Sequence, residues 1–286
     1  MILVTGAAGK TGRAVIRALA ARGADVRALI HRPERAEALL AHGAREVAVG
    51  DLLDGGAVRE AMAGVRAVYH ICPNVHADEV EIGANVVEAA RDAGVEHLVY
   101  HSVLHPQVEA MPHHWLKMRV EERLFGSGLE YTILQPCPYS QNVLGQWERI
   151  VNEGVYAVPY SVDARLSLVD LEDVAAVAAV VLTQPGHVGA TYELAGPEAP
   201  TQVQVAGTLG RVLGRDVEAR QITREDWARQ VHATGMGDYA VAVLLQMFRY
   251  YDRHGLWGNP NVLAWLLSRP PATFEEFVTR TVTTDL

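Results

Sequence analysis

The sequence predicts an α/β fold: a doubly wound parallel sheet followed by a smaller mixed α/β lobe. Three observations predict it. Short apolar runs alternate with amphipathic segments from residue 1 to about residue 135, the pattern of parallel strands joined by crossover helices. The first run, Ile2-Leu3-Val4, passes directly into three spaced glycines and then into a helical stretch. Beyond residue 150 the alternation gives way to a mixed, helix-rich pattern. The expected division is 1–150 for the sheet domain and 151–286 for the smaller lobe, with part of the later chain returning to the sheet.

Taken in order, Gly6-Ala7-Ala8-Gly9-Lys10-Thr11-Gly12 is a strand-to-helix turn. Gly6 permits the tight turn, Gly9 lets the backbone come close to a pyrophosphate, and Gly12 lets the helix pack tightly on the sheet. The helix N-terminus then faces the anion, with Ala8, Lys10 and Thr11 completing the loop. The strand Ala24 to Ile30 leads to His31-Arg32-Pro33. An NAD site places an acid at this strand end, roughly 20 residues beyond the glycines, whereas a basic residue accommodates a ribose 2′-phosphate. The position here is basic, so the expected cofactor is NADP(H). Arg32 is the principal phosphate ligand, assisted by His31 and by Arg13 or Lys10.

Pro33 to His42 suits a helix and Glu46 to Val49 a third strand ending in Gly50-Asp51-Leu52. Asp51 either accepts from an adenine amine, with the backbone at Leu52 lining the ring, or caps a turn; its spacing leaves both roles open. A helix from Asp54 to Ala63 and a strand from Ala67 to Ile71 bring Cys72, Pro73 and Asn74 to a strand's carboxyl end, where ligands sit in open parallel sheets. Glu79 to Ala93 is a helix, and the strand His97 to His101 runs into Ser102.

Pro112 opens a helix carrying His113, His114, Lys117 and Glu121. Lys117 is four residues from His113 and three from His114, so either histidine shares a face with it. The same spacing allows a solvated Lys117 paired with Glu121. A sixth strand, Tyr131 to Gln135, is followed by Pro136 and Tyr139. Later strands are expected at Val155 to Val158, Thr191 to Leu194 and Val217 to Ile222. Helices are expected at Leu171 to Leu182, Val203 to Leu213, Arg224 to His232, Tyr239 to Tyr251 and Phe274 to Val282.

Composition narrows the function. A net charge of −9 with no basic stripe argues against direct nucleic-acid binding. The longest later apolar run, Val174 to Leu182, falls far short of the roughly 20 residues a bilayer span needs, so a cytoplasmic protein with no membrane partner is expected. Cys72 and Cys137 cannot build a disulfide framework and read as core residues. No histidine spacing matches a metal signature, and no metal is expected. Of 25 basic residues only Lys10 and Lys117 are lysines, and both fall inside motifs. A compact ammonium offers chemistry that a guanidinium does not.

Together these residues resemble the NmrA-like family of atypical short-chain dehydrogenases/reductases. The likeness rests on Gly6-x-x-Gly9-x-x-Gly12, Gly50-Asp51-Leu52, Ser102, Ser127-Gly128-Leu129-Glu130-Tyr131-Thr132-Ile133-Leu134-Gln135-Pro136, Leu168-Val169-Asp170-x-x-Asp173-Val174-Ala175, and the tail from Leu267 to Phe277. The resemblance implies a Rossmann domain binding NADP(H) and a C-terminal lobe contributing to a substrate cleft. The superfamily's Tyr-x-x-x-Lys reads His113-His114-Trp115-Leu116-Lys117 here: the lysine is kept and the tyrosine is a histidine.

Two kinds of protein in this neighbourhood fit that departure. One is an NADPH-dependent reductase of a small, mostly apolar carbonyl, enone or quinone, similar to quinone reductases and isoflavone-reductase-like enzymes. In it Lys117 anchors the nicotinamide ribose or supplies a proton, His113 or His114 protonates the developing oxyanion, and Ser102 hydrogen-bonds the same oxygen. The other is an NADP(H)-sensing regulator that engages a protein partner without turnover. Non-redox chemistry in the same cleft is a third reading.

Overall fold

The computed structural model describes residues 1–284. Seven strands form one sheet: β1 Ile2–Val4, β2 Val26–Ile30, β3 Glu46–Val49, β4 Ala67–His70, β5 His97–His101, β6 Tyr131–Pro136 and, after a two-stranded excursion begun by β7 Val155–Val158, β8 Ala190–Leu194. Their order is β3-β2-β1-β4-β5-β6-β8. The pairings among β1 to β6 are parallel, with Val4 opposite Ala28 and Tyr69, and Tyr100 opposite His70 and Ile133. Chain order reverses between β1 and β4, the switch point at which open α/β sheets bind ligands. β7 pairs in parallel with β9 Glu218–Gln221 in a separate ribbon.

The helices are α1 Lys10–Ala21, α2 Ala36–Ala41, α3 Gly55–Ala61, α4 Glu79–Asp92, α5 Pro112–Phe125, α6 Trp147–Glu153, α7 Leu171–Thr183, α8 Gln202–Leu213, α9 Arg224–Ala233, α10 Asp238–His254, α11 Asn261–Leu267 and α12 Phe274–Thr284. Local chemistry sets several boundaries. Asp54 caps α3 by accepting from the Gly56 and Ala57 amides at 2.9 and 3.2 Å. Thr201 and Gln204 close a reciprocal capping box on α8. The helix expected from Pro33 to His42 is split, with a 3-10 turn at Pro33–Arg35 preceding α2. A further 3-10 segment, Ser140–Gln146, leads into α6.

The chain forms two compact units, each assembled from separated segments. The first comprises Met1–Gln107, His114–Gln135 and Val174–Tyr192; the second comprises Val108–His113, Pro136–Asp173 and Glu193–Leu286. A boundary at residue 150 thus falls inside one segment of the second unit, and residues 174–192 belong with the sheet. The first unit has a core under α3, α4 and α5 in which Val68, Leu98 and Ile133 meet Val58, Met62, Ile82, Val86, Val120 and Leu124. A Cβ on Gly83 of α4 would lie 2.7 Å from Val120 of α5, so the bare backbone brings these helices together.

In the second unit, buried Asp170 and Asp173 receive Arg280 and Arg269, respectively. Asp173 also accepts from the Ala272 amide at 2.7 Å. Cys72 and Cys137 are buried and unpaired, as core residues should be. Among the described residues, no helix is long and apolar enough to cross a membrane.

Candidate functional site

Five loops of the first unit leave the carboxyl ends of adjacent strands, and they carry most of the residues singled out from the sequence. Gly6 to Gly12 follows β1, His31 and Arg32 follow β2, Asp51 and Leu52 follow β3, Cys72 to Asn74 follow β4, and Ser102 follows β5. Parallel pairing places all of these ends on one edge of the sheet.

The glycine loop has the form an anion cradle requires. Gly6 has φ +57°, and a Cβ there would meet the Ile71 carbonyl oxygen at 2.8 Å. A Cβ on Gly12 would meet the Gly6 oxygen at 2.5 Å and the Ala7 Cα at 2.6 Å. The Gly9 amide donates to the Gly6 oxygen at 3.0 Å. Gly9 is the N-cap of α1 and brings no capping side chain, so no side chain of its own covers the first helical turn. Ala8 and Lys10 are exposed, while Thr11 is buried. These residues fit a dinucleotide's phosphates.

At the ends of β2 and β3, His31 and Arg32 are exposed, and His31 Nδ1 lies 3.7 Å from Asp51 Oδ2. Asp51 Oδ1 also accepts from the Leu53 amide at 2.9 Å, so the carboxylate serves a turn, and Leu52 is buried beneath it. The sequence left adenine contact and turn capping open for Asp51; the turn bond is present.

Lys117 departs from the solvated pairing that its spacing allowed. Its ammonium is buried, with 6% of the side chain exposed, and lies 2.9 Å from Oε1 of the fully buried Glu79. It also faces the His101 carbonyl at 3.5 Å and stands over the Tyr100 ring. Glu121 instead accepts from Ser102 Oγ and from Gln135 Nε2, the latter at 3.0 Å to both carboxylate oxygens. Burial raises the Glu121 pKa, and the bonds from Ser102 and Gln135 oppose that rise.

Around this pair lies a polar network that no sequence pattern announced. Tyr100 Oη donates to Glu79 Oε1 at 2.9 Å, and burial raises the phenol pKa far above its ordinary value. Tyr69 Oη and His101 Nδ1 are 2.7 Å apart. Thr5 Oγ1 and His70 Nδ1 are 2.9 Å apart, and the His70 ring stacks on Tyr100. Burial keeps these histidines neutral, pushing His70 down to about 4 and His101 to about 3.

His114 is buried, with Nδ1 3.3 Å from the His105 carbonyl oxygen, and burial pushes its pKa down to about 4. His105 itself has φ +54° just before Pro106, a strained conformation that aims this carbonyl. His113, Pro136 and Tyr139 belong to the second unit. His113 is buried there, and Tyr139 forms a backbone bridge with Val169. His97 Nε2 is 2.9 Å from Thr132 Oγ1.

Comparisons agree with this architecture. The model of the NmrA-like family matches residues 1–278. An NAD(P)H azoreductase from Xenophilus azovorans is 30% identical over 279 residues, covering 97% of this chain and 96% of that protein. Quinone oxidoreductase 2 from Escherichia coli (strain K12) is 30% identical over 280 residues, covering 97% of both chains. The crystal structure of an Escherichia coli NADPH-dependent quinone oxidoreductase complexed with NADPH superposes with a TM-score of 0.86 at 30% identity, covering 99% of this chain and 100% of the other.

Proposed function

The chain belongs to the NmrA-like family, and from that premise we propose that it is an NADPH-dependent reductase of a small, mostly apolar acceptor, a quinone first among carbonyls and enones. The observation that carries the reading is the placement of the glycine cradle, the basic end of β2 and the buried Lys117 in one unit beside a single sheet edge. The similarity to quinone and azo reductases over nearly the whole chain supports the same reading.

The residues divide the work. Gly6, Gly9 and Gly12 admit the pyrophosphate to the start of α1, with Ala8, Lys10 and Thr11 beside it. Arg32, assisted by His31, takes the 2′-phosphate, and its planar guanidinium suits a phosphate better than an ammonium would. Asp51 and Leu52 flank the adenine, while Cys72, Pro73 and Asn74 follow β4 at the switch point. Pro136 and Tyr139 remain proposed cofactor neighbours.

Bound NADPH supplies a hydride. The chain's own task is to hold the acceptor's oxygen as it gains charge and to manage the accompanying proton. Lys117 is the group assigned to the nicotinamide ribose or to that oxygen. His114, held neutral by burial, can give that oxygen a ring N–H hydrogen bond and not an imidazolium proton; His113 is the other histidine assigned to it. The Ser102 hydroxyl already donates a hydrogen bond to Glu121, so its contribution passes through that carboxylate.

The test is NADPH consumption by purified protein against quinones, enones, aromatic aldehydes and azo dyes. Saturable turnover with at least one class is expected. Saturable NADPH binding without turnover on any of them would overturn the reductase and favour a nucleotide-sensing regulator.

A further inference from the structure

We propose that Glu79 is the positioning residue of this site: its carboxylate holds the Lys117 ammonium in place and charged, so that Lys117 serves as a fixed cation toward the nicotinamide half of the cofactor and not as the proton donor. The inference rests on the reductase reading for its cofactor, and it decides between the two roles left open for Lys117.

The geometry is specific. Glu79 is entirely buried at the start of α4, and one oxygen receives both Lys117 Nζ and Tyr100 Oη, each at 2.9 Å. Lys117 reaches it from α5, 38 residues further along the chain. An ammonium in an apolar site tends to lose its proton, and an adjacent carboxylate reverses that tendency. Burying such a pair costs more desolvation than a hydrophobic replacement would, so the fold alone gives little reason to keep it.

The other groups facing Lys117 leave Glu79 as its direct charged partner. From β5, Tyr100 presents its ring at 5.5 Å and His101 its carbonyl oxygen at 3.5 Å. From β4 and the second residue beyond its end, His70 and the Cys72 thiol are held neutral by burial, so neither adds a competing charge. On its own helix, His114 is likewise neutral, and Glu121 is occupied by Ser102 and Gln135. Glu79 is the carboxylate in direct contact with the ammonium.

The network also reaches the phosphate loop. Thr5, immediately before Gly6, bonds His70; His70 stacks on Tyr100; Tyr100 bonds Glu79; and Glu79 bonds Lys117. An ammonium held by this chain keeps a fixed position relative to the cradle.

The chain's two lysines allow a direct test on the unmodified protein. Lysine labelled with nitrogen-15 at Nζ gives two signals, assigned with Lys117→Met. The Lys117 signal is expected to shift when NADPH is added and to shift in Glu79→Gln, whose carboxylate oxygen lies 2.9 Å from Nζ in the wild type. A signal indifferent to either change would overturn the proposal.

Glu79→Gln provides the second readout. Its NADPH affinity, measured by fluorescence titration, is expected to be about tenfold or more below that of the wild type. In a Lys117→Met background the same substitution is expected to add no further loss. An equal loss in both backgrounds would reduce Glu79 to a structural residue and overturn the proposal. If wild-type protein reduces no acceptor but binds NADPH, the reductase fails while these readouts still decide the role of Glu79. If wild-type protein binds no NADPH, both fall.

Discussion

A Cβ on residue 12 would lie 2.5 Å from the carbonyl oxygen of Gly6, so the first turn of α1 closes on the loop that begins it only when residue 12 is glycine. The obstacle is backbone, which cannot swing aside as a side-chain tip would. Gly12→Ala is therefore expected to destabilise the protein by roughly 1–3 kcal/mol, the usual range for overpacking, and to weaken NADPH binding at least tenfold. At Gly9 a Cβ meets only the Gly6 oxygen, at 3.2 Å, and Gly9→Ala should cost less. Thermal melts and NADPH titrations of the two variants check the order; equal effects would remove this account of the loop.

Arg32 is exposed at the end of β2, where no acidic residue takes its place. Arg32→Ala should weaken NADPH binding by about tenfold or more, the scale of a lost charged hydrogen bond, and leave NADH binding nearly unchanged. The ratio of the two dissociation constants is the measurement. A parallel loss for both cofactors would move the 2′-phosphate away from Arg32.

Lys117→Met should lower kcat/KM by about 10²-fold or more, since a misplaced or missing polar group at a reacting centre has that scale. It should also destabilise the fold, because Glu79 is then buried without its cation, a loss of about 3–5 kcal/mol in comparable pairs. Adding Glu79→Gln should restore stability without restoring turnover. Melting temperatures and steady-state rates of the single and double variants separate the two effects. Lys117→Arg should not rescue, because a guanidinium is larger and differently shaped.

Acid should unfold the first unit through its neutral histidines. His70 and His114 titrate near 4 and His101 near 3 when folded, against 6.5 ordinarily, so the unfolded chain binds more protons between those values. Their stabilisation is present in full above 6.5 and is lost as pH falls toward 4, at roughly 1.4 kcal/mol per pH unit for each histidine. Melting temperatures taken from about pH 7 to about pH 4.5 should fall steeply, and less steeply in His101→Phe. A flat profile would mean that these rings titrate in the folded protein as they do in the unfolded chain.

Much of this was legible in the sequence because it is local. Strand ends, glycine spacing and the basic residue after β2 are read within a few positions, and β3, β5 and α5's start match their expected places. The partner of Lys117 was not legible. Helical spacing offered Glu121, four residues away, whereas the sheet register brings Glu79 from a different helix. Glu79 itself looks like any acid in a helix's first turn, where the helix dipole alone would favour it. Tyr100 and His70 sit in apolar strands and read as core, which they also are. The seven-residue helices α6 and α11 have no side-chain N-cap to announce them, whereas α3, equally short, is marked by Asp54.

The interleaving of the two units sets a schedule for synthesis. The sheet unit needs residues 174–192, and buried Asp170 waits for Arg280, which leaves the ribosome 110 residues later. Domains generally fold as units as the chain emerges from its N-terminus, but here the segments of the first unit are all present only at residue 192, and the second unit still needs residues beyond 193. A nascent chain halted between residues 200 and 260 would carry Asp170 and Asp173 without their arginines, and protease sensitivity of the second unit's segments in stalled chains should persist until Arg269 and Arg280 are released.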